Sequence, residues 1–280
     1  MTMMSTLHRL VLTGVIALAV IFSPCQAEAA ERSWVKVRYT DEASSVMAKN
    51  VEDCLDTVAD LLGQYHIYLS QPITVIVTGD SAGYINVLRS YGYTPEAAER
   101  ADKNTAAVSL NNLPVIIVKG TASLKEKKQE VYRVLPHEIF HQVQRQWAKL
   151  RTVTWMVEGA PELFRMKASE QAGLVPTAVY LAVEQNRIKQ AKVLPSAHQI
   201  GHKDYTVFSS LSAKGYPVYS MSTVMMAKLV EAAGFDKVVY FYQQLHYGVD
   251  PDKAFLSVFR VPMRYFLDDM DRYFEEIYKK

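Results

Sequence analysis

Cysteine is nearly absent: the 280 residues include only Cys25 and Cys54. So few rule out a fold stapled by several disulfides, the usual device of small exported domains. An excess of one charge is missing too. Lys+Arg 31 stand against Asp+Glu 29, a net +2, too balanced to point to nucleic acid or an acidic polymer as partner. The run Lys125–Lys128 reads as a solvated helix surface. There is no internal repeat and no low-complexity linker. Long apolar runs are limited to Leu10–Phe22, which is shorter than the ~20 residues that span a bilayer.

That run has the layout of an export signal. His8 and Arg9 precede it, Ser23-Pro24 breaks it, and Ala27-Glu28-Ala29 offers a small-x-small cleavage site. The expectation is a cleaved signal peptide over 1–29 and an exported mature chain (periplasmic, cell-surface or secreted) with no membrane span after cleavage. A lipoprotein would use Cys25, but Phe22-Ser23-Pro24 is a poor approach to a lipidated cysteine. Cleavage after Ala29 leaves Cys54 alone, without a disulfide partner. Cys54 falls in the stripe Met47, Val51, Cys54, Leu55, Val58, Leu61 and reads as an inert core residue.

The rest, 30–280, reads as one domain of α+β class. Trp34–Tyr39 alternates apolar and basic residues as a half-buried strand, and Ala43–Tyr65 has helical spacing. Ile73–Val77 is β-branched and strand-like. Gly83–Tyr91 and Pro95–Lys103 follow as short helices, the second opened by Thr94. Ala106–Leu110 and Val115–Lys119 read as two more strands. From Ser123 onward the pattern is helical. Proline in a helix interior costs ~3 kcal/mol, so Pro136 predicts a kink or restart near Arg133–Leu135. By the same rule Pro161 places the next helix start near Gly159 or Ala160. Later helices are expected at Pro176–Ala191, Pro217–Ala233, Asp236–Tyr247, Pro251–Phe259 and Pro262–Lys279. Val193–Gly215 stands out as the one long irregular segment and the natural rim or lid of a cleft. The sheet and the motif helix thus occupy 30–150, and 151–280 is helical.

Leu135–Gln142 carries the chemistry. His137, Glu138 and His141 spell H-E-x-x-H, and on a helix two histidines four apart share one face and can point at one ion. Glu138 sits about 100° further round, close to a water on that ion without ligating it. Zinc catalysis typically uses three protein ligands and an open position. Glu158, in Trp155-Met156-Val157-Glu158-Gly159, supplies the third, 17 positions after His141. That interval allows one helix to finish and a second to face it. Glu162, four residues on, shares its face and could accept the free N–H of a ligand histidine. Met221, Met225 and Met226 read as core packing rather than soft-metal ligands.

H-E-x-x-H followed by W-x-x-E-G resembles the gluzincin metallopeptidases, in particular the peptidase MA-like group of the thermolysin and aminopeptidase clan. The resemblance implies a zincin-like fold with the metal between its two halves. It also implies one Zn²⁺ per chain on His137, His141 and Glu158, with Glu138 as general base. The expected activity is hydrolysis of a peptide or protein substrate. For the transition-state donor the candidates are Tyr219 first, then Tyr216, then His198 and His202. Two rivals remain in view: a zinc-holding binding or scaffold protein with little turnover, which the intact Glu138 argues against, and a zinc amidase acting on cell-wall peptides.

Overall fold

The structure, a computed structural model, describes residues 32–40, 45–148 and 152–279; the expected signal peptide lies outside them. Four strands form one mixed sheet: β1 (Val35–Thr40), β2 (Ile73–Thr78), β3 (Ala107–Ser109) and β4 (Val115–Val118), in the spatial order β1-β2-β4-β3. β1, β2 and β4 run parallel, and β3 pairs antiparallel with β4 at the sheet edge. Parallel strands buried on both faces favour unbroken β-branched runs, which Ile73–Thr78 and Val115–Val118 provide.

Alternate residues of these strands enter two cores. Val75, Val77, Ile116 and Val118 face the main core, together with α1 (Ser45–Gln64). Ile76, Val115 and Ile117 face a smaller one under α2 (Ser81–Ser90) and α3 (Pro95–Asn104), where Tyr84, Leu88 and Ala98 are buried. Asp80 caps α2 and Thr94 caps α3, as such residues do at helix starts. Cys54 is fully buried with its stripe on α1.

From Ala122 the described residues are helices and connections: α4 (Ala122–Glu126), α5 (Lys128–Ala148), α6 (Thr154–Gln171), α7 (Thr177–Gln190), α8 (Ala197–Ile200), α9 (Tyr205–Ala213), α10 (Val218–Ala233), α11 (Phe235–His246), α12 (Pro251–Phe259) and α13 (Met263–Lys279). None of the described helices is long and apolar enough to cross a membrane. An aromatic cluster fixes α5 against its neighbours. The ring of Phe140 lies 5.0 Å from Phe164 of α6, and 5.8 Å and 6.0 Å from Phe235 and Tyr242 of α11. Each such pair adds about 0.5–1.5 kcal/mol beyond its buried area.

Three expectations need correction. Pro136 does not restart a helix, because α5 runs unbroken through it. Proline's fixed φ is itself helical, and the lost backbone bond is outweighed by packing: Leu135, Pro136, Ile139 and Phe140 are all buried. Likewise α6 starts at Thr154 rather than near Gly159, with Pro161 inside it beside the fully buried Ala160 and Phe164. Val193–Gly215 is not irregular throughout, since it holds α8 and α9. Ser196 and Gln199 form a capping box on α8, and Asp204 caps α9 by accepting from the Thr206 N–H.

Candidate metal centre

Helical spacing on α5 brings the His137 and His141 rings edge to face, 4.7 Å between centroids. α6 supplies Glu158, and Gly159 sets how α6 lies on α10. A Cβ at Gly159 would come within 2.4 Å of the Ser222 carbonyl oxygen, so only glycine lets the two helices approach this closely. The Thr154 hydroxyl donates to the His202 carbonyl at 2.8 Å and ties the start of α6 to the α8–α9 connection.

Glu158 Oε2 lies 3.9 Å from His137 Nε2 and 3.7 Å from His141 Nε2. The ligand atoms of all three residues fall within 4.8 Å of one another. Tetrahedral zinc with bonds near 2.1 Å spaces its ligands by about 3.4 Å, so the two gaps between Glu158 and the histidines exceed that spacing by only a few tenths of an ångström. Two imidazoles and a carboxylate are also the donor chemistry zinc favours.

The electrostatics suit a cation. Burial drives His137 down to about 3, with Arg165 adding to the effect, and drives His141 well below its ordinary value, with His137 and Arg145 adding. Both rings are therefore neutral, the form that ligates metals. Burial pushes Glu158 up to about 7 against the opposing Tyr205 bond, and Glu138 up to about 8 against Arg145. A divalent cation among these groups would favour the charged form of both carboxylates.

Burial apart, Glu138 lies near enough to Glu158 and Glu162 for both charges to raise its carboxyl. Its carboxylate accepts the backbone N–H of Ser109 on the edge strand β3. Other polar side chains of α5 hold that strand in place. Arg145 donates to the Ser109 hydroxyl and, at 3.0 Å, to Asn111 Oδ1. Gln142 Nε2 donates to the Ser109 hydroxyl at 2.8 Å and to the Leu110 carbonyl at 3.2 Å.

Each of His137, His141 and Glu158 has a partner behind it. His137 Nδ1 is 3.7 Å from Glu162 Oε1, and Glu162 accepts from Arg165 Nε. His141 Nδ1 is 3.0 Å from Gln144 Oε1. The Tyr205 hydroxyl donates to Glu158 Oε1 at 3.0 Å. Tyr219 lies near Tyr205, and burial first and the Glu158 charge next raise both hydroxyls.

His137, Glu138, His141, Glu158 and Tyr219 thus come together. The other donor candidates face elsewhere: Tyr216 packs on the apolar core, His198 Nε2 is 2.8 Å from Asp268, and His202 Nδ1 accepts the Asp204 N–H. Met221, Met225 and Met226 are fully buried in the core. Reading the sequence did not single out Gln144, Tyr205, Ser109, Arg145 or Arg165. Of these only Gln144 and Arg145 carry a local signal, polar residues one turn after His141. No protein-family model, curated protein or solved structure matches this chain.

Proposed function

We propose that this chain is an exported zinc metallopeptidase of gluzincin type with a zincin-like fold, in which His137, His141 and Glu158 hold one Zn²⁺ and Glu138 is the general base. The convergence of those three ligand atoms within 4.8 Å, with Glu138 on the same helix as the two histidines and next to the edge strand, carries the proposal. When bound there, zinc would polarise the scissile carbonyl and acidify a water.

The chain's own residues do the rest. Glu138 takes a proton from the attacking water and passes it to the leaving amine as the C–N bond breaks. Burial, which makes its carboxyl readily protonated, suits both transfers. Tyr219, 42% exposed, packs with Tyr205 on Phe208 and can turn its hydroxyl proton to the oxyanion. Tyr205 is committed to Glu158 Oε1, which leaves Oε2 as the oxygen that would face a metal.

A digest of a diverse peptide library by the mature protein, with and without a chelator, tests this reading. Cleavage that the chelator abolishes and zinc restores is expected. Full zinc loading with no cleavage would move the scaffold or cell-wall amidase reading ahead. N-terminal sequencing of protein from the producing cell should find Ala30 or a close neighbour, and an intact Met1 would reject export by cleavage.

A further inference from the structure

His141 is held from behind by an amide rather than a carboxylate. Gln144 Oε1 lies 3.0 Å from its Nδ1. The same amide's Nε2 donates to the Met156 carbonyl at 3.1 Å and to the Tyr242 hydroxyl at 2.8 Å. Tyr242 in turn donates to that carbonyl at 2.9 Å. All three side chains are buried, so each polar group there needs a partner within the protein.

The protons have one consistent arrangement. A carbonyl only accepts, so Gln144 must turn its NH₂ toward Met156, and its oxygen then faces His141. That oxygen also only accepts, which puts the imidazole hydrogen on Nδ1 and leaves the lone pair on Nε2. Nε2 is the atom that faces Glu158 at 3.7 Å. Flipping the amide would set two oxygens 3.1 Å apart and leave Nδ1 without an acceptor.

We infer that Gln144 and Tyr242 are positioning residues that hold His141 as its Nδ1–H tautomer, with Nε2 presented to the metal, and that anchor this geometry to α11. Met156 lies two residues before Glu158, so one buried knot joins α5, α6 and α11 and places two ligands at once. The two histidines are also held differently, His137 facing a carboxylate and His141 a neutral amide. What Nε2 is presented to rests on the zinc reading; the tautomer does not depend on a metal.

The test uses the mature protein stripped by chelator and ¹⁵N imidazole NMR at neutral pH. Wild type should show a protonated Nδ1 and a bare Nε2 on His141. Gln144→Met should lose that preference and populate both tautomers. Its zinc affinity, measured by chelator competition, should fall by about 10–100-fold, the usual loss when a ligand's outer partner is removed. Tyr242→Phe keeps the Gln144–Met156 bond, so it should retain the tautomer and lose less affinity than Gln144→Met. An Nε2–H or mixed tautomer in wild type would overturn the inference, as would unchanged zinc affinity in folded Gln144→Met. Should Gln144→Met not fold, unchanged zinc affinity in Tyr242→Phe would overturn it instead. A wild type that binds no zinc yet shows the Nδ1–H tautomer would refute the zinc reading and uphold the positioning role.

Discussion

Tyr205 gives its hydroxyl proton to Glu158 Oε1 across 3.0 Å, which leaves Oε2 facing both histidines. This bond divides the labour between two adjacent tyrosines. Tyr205→Phe frees Oε1 and should weaken zinc binding by about 10-fold or more, as loss of an outer partner does. Tyr219→Phe should leave zinc binding unchanged and lower kcat by about 10²–10³, the loss typical of one oxyanion donor. Chelator competition and steady-state kinetics on both variants check this. Equal effects on metal and rate in the two would refute the division.

The close approach of α6 and α10 makes Gly159 a sensitive position. Gly159→Ala forces a methyl to 2.4 Å from the Ser222 carbonyl, and such overpacking costs typically about 1–3 kcal/mol. Because Glu158 is the adjacent residue, zinc affinity should fall together with the denaturation midpoint. A variant as stable and as metal-avid as wild type would show that the helices part without penalty.

The buried carboxylates predict how pH acts on metal-free protein. Glu138 and Glu158 are raised to about 8 and about 7 from an ordinary 4.5. Groups raised in this way contribute stability that is full below 4.5 and is lost as pH rises through their folded values. His137 is lowered to about 3 from 6.5; its contribution is present above 6.5 and is lost as pH falls. Between 6.5 and 8 the carboxylates therefore dominate, and metal-free protein should lose stability as pH rises. Zinc would hold Glu158 ionised and favour ionised Glu138, so the rise in Tm on adding zinc should be larger at pH 8 than at pH 6.5. Parallel Tm profiles for stripped and loaded protein would contradict this.

The clustering of His137, His141 and Glu158 was legible because its spacing is local. One helix face defines His137 and His141, and Trp155–Gly159 marks the residue that faces them. The breaks expected at Pro136 and Pro161 came from a local rule that burial of Leu135, Ile139, Ala160 and Phe164 overrides. α8 and α9 were missed although Ser196-x-x-Gln199 and Asp204 are capping signals, because the histidines, serines and glycines around them read as a loop. Tyr205 could not be placed at Glu158 from sequence, since that contact spans 47 positions and depends on how α9 packs. The sheet was read to within a residue or two at each strand end. Its order, with β3 at the edge beside Glu138, required the register.

Zinc content measured beside turnover in Glu138→Gln and Glu158→Gln tests the central claim most directly. Glu138→Gln should keep about one zinc per chain and the fold, yet lose at least about 10²–10⁴-fold in rate, the usual contribution of a general base. Glu158→Gln removes a ligand charge and should lose zinc and rate together. A Glu138→Gln protein that cleaves peptides at the wild-type rate, or a Glu158→Gln protein that binds zinc as tightly as wild type, would contradict the account.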